Sequence, residues 1–401
     1  AEMNSKNPIL IDSLVARADI NVLVSADNMV SKHVLVIGMT SSGKSVATRR
    51  IMRELMYKDY PIVIIDPHGD YLGIVKQAKK LFPKHAIKLF YPKISAPVNN
   101  KEVIFALIEK LGKKLTDPQY DFLNWLLDNI AYESGQNLTN YINVLIQRAN
   151  TAAANKRNRS TSGLNGISNT GATTMGVVAR SLRVVESKLK RMEKDNKENM
   201  NKFPHLKFEE LPDSYSQPEN IVAKSQVSIL YLKGYESLPS STIVSILLEN
   251  LFNHRSAGNK TIPPFFTIVE EAQNFIPSRS EGQDGYPSVE TIKKISTEGR
   301  KFGVGLMIVT QRPYKIDETV CSQMNSYIIL RLKNERDQRF VKNTMENWDD
   351  EQAKQLPNFA NGQGIVSGQI TNLPLTVKIK FDADLINSDI GDENFISDVQ
   401  N

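Results

Sequence analysis

Residues 33–57 read HVLVIGMTSSGKSVATRRIMRELMY, and three features of this stretch decide the fold. The apolar run from His33 to Gly38 has the length and composition of a buried strand. A helical run follows from Ser45 to about Tyr57. Between them GMTSSGKS, residues 38–45, fits G-x-x-x-x-G-K-[ST]. Gly38 and Gly43 let the backbone curl around Thr40, Ser41 and Ser42 so that successive N–H groups face one phosphate. Lys44 supplies an ammonium for the β- and γ-phosphates, and Ser45 a hydroxyl for Mg2+. The positive end of the helix adds to the attraction. A strand before and a helix after are the context that separates a real phosphate loop from a chance match.

Outward from this unit, Pro61–Asp66 (PIVIID) is a second apolar strand closed by the turn PHGD, and IKLFYP around Leu89 is a third. Strand, helix, strand in this order opens a parallel α/β sheet. From about Asn100 the pattern turns helical, through Val103–Leu111, Tyr120–Ile130 and Leu138–Ile146. Residues 151–174 are rich in Gly, Ser, Thr and Asn and read as a mobile loop, followed by a basic helix from Met175 to about Lys197. Strands return at Gln226–Leu232, Pro264–Glu270, Gly305–Gln311, Tyr327–Leu332, Gly362–Gly368 and Leu373–Phe381. The expected architecture is one α/β core with a parallel-dominated sheet, residues 1–98 and 225–401, carrying a helical insertion at 99–224.

Composition narrows the class. With 40% hydrophobic and 23% charged residues among 401, the chain is globular rather than disordered. No apolar run approaches the ~18 residues of a membrane span, and the first residues lack the pattern of a signal peptide. The single Cys321 excludes an internal disulfide, which fits a reducing cytoplasm, and one Cys with five His excludes a zinc cluster. The net charge of +6 is modest, but Arg148–Lys194 holds ten Lys and Arg against two Glu. Lys156, Arg157 and Arg159, on the expected loop, are candidates to meet nucleic-acid phosphates without reading bases. A solvated basic face is the alternative.

Three further motifs carry chemistry. FFTIVEEAQNF ends a strand in Glu270 and Glu271. Beside a phosphate loop, Glu270 is placed for the Mg2+ water shell and Glu271 to polarise an attacking water. Gln311 closes the following strand (GLMIVTQRP), where a polar side chain can sense the γ-phosphate. Arg300, in ISTEGRKFGVG, lies between these strands. Its permanent charge and forked donors suit a neighbouring subunit's γ-phosphate, or else simply neutralise a helix end. Arg331 is a second candidate with a weaker case.

Together, MVSKHVLVIGMTSSGKS, PIVIIDPHGDY, VEEAQNFIP, STEGRKFGVGLMIVTQRP, CSQMNSYIILRLKN and LPNFANGQGIVSG resemble the HerA ATPases, of the HerA/FtsK group of RecA-like P-loop motors. The resemblance runs from about Asn7 to about Phe381 and is weakest across residues 100–220. It implies a homohexameric ring that hydrolyses ATP, moves double-stranded DNA and works with a nuclease or another effector. By motif, Lys44 and Ser45 match the Walker A positions, Glu270 and Glu271 the Walker B positions, Gln311 the TQRP position, and Arg300 the trans-acting arginine. Asp66 and His68 fall in the DPHG segment, read here as a strand-ending turn. Gln273 stands where the family usually has His. Residues 7–33 resemble the stretch joining the family's N-terminal β-barrel to its core, so the chain resembles the motor without its barrel. Two other readings remain: a conjugation- or secretion-type ring ATPase, and a ring scaffold that organises an effector in phage defence.

Overall fold

The computed structural model describes residues 7–92, 101, 104–105, 108, 111, 115–130, 137–160, 164–167, 169–258, 261–282, 285–344, 350–371 and 373–385. Its strands are β1 (Pro8–Leu14), β2 (Asn21–Ser25), β3 (Val34–Ile37), β4 (Ile62–Asp66), β5 (Ala86–Tyr91), β6 (Phe208–Glu210), β7 (Gln226–Tyr231), β8 (Phe265–Val269), β9 (Val304–Thr310), β10 (Ser326–Leu330), β11 (Gln363–Gly368) and β12 (Leu375–Ile379). Among the described residues they form one sheet, in the order β2-β1-β12-β11-β10-β3-β9-β8-β4-β7-β5-β6. From β10 to β6 every neighbouring pair is parallel. From β10 to β2 every pair is antiparallel.

The sequence pattern explains this division. β3, β4, β7, β8, β9 and β10 are buried at every position, as parallel strands covered on both faces must be. β1 instead alternates buried with more open positions, the pattern of a strand with one covered face. Successive residues of β3 serve different cores. Val34 and Val36 pack in one with Ile51 and Leu55. Leu35 and Ile37 pack in the other with Leu247 and Ile292.

The helices that matter for the site are α1 (Ala26–Ser31), α2 (Lys44–Met56), α3 (Val75–Leu81), α4 (Asp117–Asn129), α5 (Leu138–Arg157), α6 (Ala172–Asn201), α7 (Ser237–Ser256) and α8 (Pro287–Phe302). α2 is anchored by a buried cluster: Arg50 donates to Asp382 at 3.0 Å and to the Leu10 carbonyl at 2.8 Å, and pairs with Glu54 at 2.8 Å. Among the described residues no helix is long and apolar enough to cross a membrane.

One expectation is corrected. The segment 151–174 is not a loop throughout: α5 continues to Arg157 and α6 already begins at Ala172. Its alanines explain the difference, because Ala is the strongest helix former and Ala152 and Ala153 are buried in the core shared by α5 and α6. Residues 161–163 and 168 of that segment, and most of the run at Val103–Leu111, lie outside the described residues. The stretch ahead of His33 holds two strands of the antiparallel edge, and β6 extends the sheet from within the expected helical insertion. That insertion also shares its core with the sheet: Leu182, Val185 and Leu189 of α6 belong to the same cluster as Leu35 and Val63.

Candidate active site

β3, β4, β8 and β9 are parallel, so their carboxyl ends fall along one edge of the sheet. The loop 38–45 leaves that edge from β3 and feeds α2. Its glycines are required sterically. A Cβ on Gly38 would lie 2.4 Å from Ser42 Oγ and 2.9 Å from Leu330 Cβ. Gly43 caps α2 with φ +107°, and a Cβ there would sit 3.0 Å from the Gly362 backbone. Ser41 also has a left-handed backbone, φ +60°. The first turn of α2 has no intrahelical acceptors for its N–H groups, which leaves them for an anion. Ser42 Oγ is buried with no hydrogen-bond partner among the described residues, a polar atom awaiting one. Lys44 is buried, and its Nζ donates to the Met39 carbonyl at 3.3 Å. Burial lowers its pKa, while Glu271, Glu270 and Asp70 pull the other way.

The acidic pair follows β8. Glu270 is buried, and its carboxyl is pushed up to about 7 by burial. Tyr71 Oη donates to its Oε1 at 2.6 Å. Tyr71 was not singled out from the sequence, although it ends the DPHGDY segment. Asp66 places it: its buried carboxylate accepts from the backbone N–H groups of His68, Gly69, Asp70 and Tyr71 at 2.7–3.2 Å. This is the strand-ending turn expected for Asp66. His68 lines a cavity of about 410 Å³ together with Glu271, Gln311 and Arg312.

Glu270 sets a stability dependence that can be measured. Its folded pKa lies above its ordinary value, so the folded state keeps this proton longer than the unfolded chain does. Stability from this group therefore falls as pH rises from about 4.5 to about 7. Tyr71→Phe removes the donor that steadies the charged form. Without nucleotide, it is expected to cost about 1.5–3 kcal/mol at about pH 8, and less near pH 5 where the carboxyl is protonated. Urea unfolding at both pH values checks this; equal costs would mean the Tyr71 bond does not depend on the charge.

Glu271 stands in the left-handed region at φ +46°, which an L-residue adopts only when its surroundings hold it there. Its Oε2 accepts from Gln273 Nε2 at 2.5 Å, and Gln273 Oε1 accepts from Thr310 Oγ1 at 2.7 Å. Gln311 reaches the phosphate loop directly, its Oε1 accepting from Thr40 Oγ1 at 2.7 Å. The Arg331 carbonyl accepts from the Met39 N–H at 3.0 Å, and its guanidinium donates to Asn361 Oδ1 at 2.9 Å. Arg331 thus buttresses the loop from the β10 side.

Arg300 is not brought to this cluster. It is exposed in the last turn of α8, just ahead of β9. A Cβ on neighbouring Gly299 would be 3.5 Å from the His33 ring, just ahead of β3. The phosphate loop leaves the other end of β3, about 13 Å away at ~3.3 Å per residue. Arg300 therefore lies at the end of the sheet opposite its own chain's loop.

Lys156 and Arg157 close α5, and Arg159 follows with φ +54°. A Cβ on Gly176 would lie 3.9 Å from both Arg157 Nη2 and Arg180 Nη1, so two guanidinium groups converge beside the start of α6. At its other end α6 docks beyond β7, where Asn196 Nδ2 donates to the Lys233 carbonyl at 2.7 Å. At ~1.5 Å per residue the basic tip stands about 30 Å from that docking point.

A phosphate loop after β3, an acidic pair after β8 and a polar residue after β9, the strand between them, define a P-loop ATPase. The family profile "Helicase HerA, central domain" matches residues 9–251, more than half of the chain. The chain belongs to the HerA helicase family. A probable helicase of Methanocaldococcus jannaschii is 27% identical over 95% of this chain and 72% of its own length. The DNA double-strand break repair helicase HerA of Sulfurisphaera tokodaii is 27% identical over 96% of this chain and 72% of its own. The solved VirB4 of Thermoanaerobacter pseudethanolicus superposes with TM-score 0.60 at 12% identity, over 96% of this chain and 99% of that one. The conjugative coupling protein TrwB gives 0.53 at 13%, over 94% and 91%. At such identities the likeness to these two is one of fold.

Proposed function

We propose that this ATPase works as a homohexamer that draws double-stranded DNA through a ring, with ATP held between subunits and a nuclease or another effector protein acting on the moved DNA. One observation carries the proposal: Lys44, Glu270, Glu271 and Gln311 share one edge of the sheet, while Arg300 lies at the opposite end. In this reading the loop 38–45 and Lys44 cradle the phosphates. Ser45 and Glu270 are hard oxygen donors suited to Mg2+, which neutralises phosphate charge when bound. Glu271 takes the proton of the attacking water, and Gln311, bonded to Thr40, senses the γ-phosphate. A neighbour's Arg300 stabilises the charge that develops during transfer. The basic tip of Lys156, Arg157, Arg159 and Arg180 supports a contact with duplex phosphates, which need charge but no base reading.

The trans arginine is tested by mixing variants. Arg300→Ala is expected to lower turnover by about 10³–10⁵-fold, and Lys44→Ala also inactivates the protein. Mixed in equal amounts with duplex DNA present, the two should recover part of the native rate. One class of interface then pairs an intact Lys44 with an intact Arg300. An inert mixture, from proteins shown to co-assemble, would mean that Arg300 does not act across the interface.

A further inference from the structure

Gln273 joins the acidic pair to the strand that carries Gln311. Its amide orientation is decided by its partners. An ionised Glu271 carboxylate can only accept, so the NH2 group must face it. Thr310 Oγ1 accepts from the Arg312 N–H at 2.9 Å and keeps its own hydrogen for Gln273 Oε1. Thr310 Oγ1 thus both accepts and donates, which leaves Gln273 Oε1 as the acceptor and Gln273 Nε2 as the donor to Glu271. Thr310 is fully buried at the end of β9, and Gln273 and Glu271 are part-buried. The next residue along is Gln311, bonded to Thr40 of the phosphate loop. A continuous run of short contacts therefore leads from Thr40 through Gln311, the backbone of residues 310–312, Thr310 and Gln273 to Glu271.

We infer that Gln273 is a positioning residue: its amide clamps the Glu271 carboxylate to Thr310, so that the carboxylate takes its direction from the strand that touches the phosphate loop. The inference rests on the reading of Glu271 as the base. The physical need is plain. Glu271 occupies a left-handed backbone conformation outside any regular element, and a carboxylate there has free side-chain torsions unless something holds its far end. Gln273 provides that hold through a neutral donor, which fixes direction without placing a second charge beside the reacting water.

The test uses the full chain with ATP, duplex DNA and a non-hydrolysable ATP analogue. Gln273→Ala is expected to lower kcat by about tenfold to a hundredfold, with analogue affinity within about twofold. Gln273→Glu keeps the shape but turns a carboxylate toward Glu271, and should be at least as slow as Gln273→Ala. Thr310→Val should slow turnover similarly, whereas Thr310→Ser, which keeps the hydroxyl, should restore it. The double variant of Gln273→Ala with Thr310→Val should be no slower than the slower single variant, because both remove one clamp. A native kcat in Gln273→Ala or Gln273→Glu overturns the inference. So does an affinity that falls by the same factor as kcat, since the side chain would then serve packing or binding. Glu271→Gln is run beside them. If it keeps turnover, the base assignment fails; if it is inactive while Gln273→Ala is native, only the clamp fails.

Discussion

Replacing Glu271 by Gln is expected to slow ATP turnover by about 10²–10⁴-fold while nucleotide affinity stays within about twofold. The substitution preserves size and the acceptor oxygen that meets Gln273 Nε2, so the local geometry should survive. What it removes is the ability to take a proton. Glu271 is placed for that task because it is only part-buried, beside the 410 Å³ cavity shared with Gln311, whereas Glu270 is enclosed and bonded to Tyr71. The two carboxylates are adjacent in sequence, yet one opens toward water and the other does not. Single-turnover hydrolysis and analogue binding measured on the same protein check the claim. Turnover within tenfold of native would move the base role away from Glu271.

Lys44→Ala should be damaging in a different way, because it acts on binding and on chemistry together. The ammonium is buried beside three acidic groups, Glu271, Glu270 and Asp70, which oppose the loss of its proton. Removing it leaves these acidic groups beside an incoming polyphosphate without that cation. Loss of one preorganised donor to a transferring group costs about 10²–10³ in kcat, and the repulsion adds a loss of affinity of at least tenfold by about 1.4 kcal/mol per decade. Turnover at saturating ATP and analogue affinity should both fall. A variant that binds ATP normally and loses only kcat would show that Lys44 serves the transition state alone.

Much of the core was legible because its signals are local. The strand His33–Gly38 is observed as Val34–Ile37, and the helix expected from Ser45 to Tyr57 as Lys44–Met56. Apolar runs of four to seven residues bounded by turns fit buried strands, and their shortness and Val/Ile content favour strand over helix. The edges were less legible. β1 and β2 alternate buried with more open positions and so lack the continuous apolar run that marks the central strands; β6 has three residues, too few to carry a pattern. The 151–174 segment misled for another reason. Its alanines look as featureless as a loop until a partner helix buries them.

The site divides the same way. The chain order of residues determined that a phosphate loop, an acidic pair and a strand-ending Gln exist, since each motif lies within a few consecutive residues. Only the tertiary structure decided how they meet. The Tyr71–Glu270 bond spans 199 residues, Thr40–Gln311 spans 271, and Thr310–Gln273 spans 37. No periodicity encodes such contacts; strand order and parallel direction create them. Arg300 is the sharpest case. Its motif marks an arginine as important without saying to which site it belongs. Because β9 runs parallel to β3, a residue ahead of β9 falls at the far end from the loop that follows β3, and that geometry alone separates Arg300 from its own chain's phosphate site.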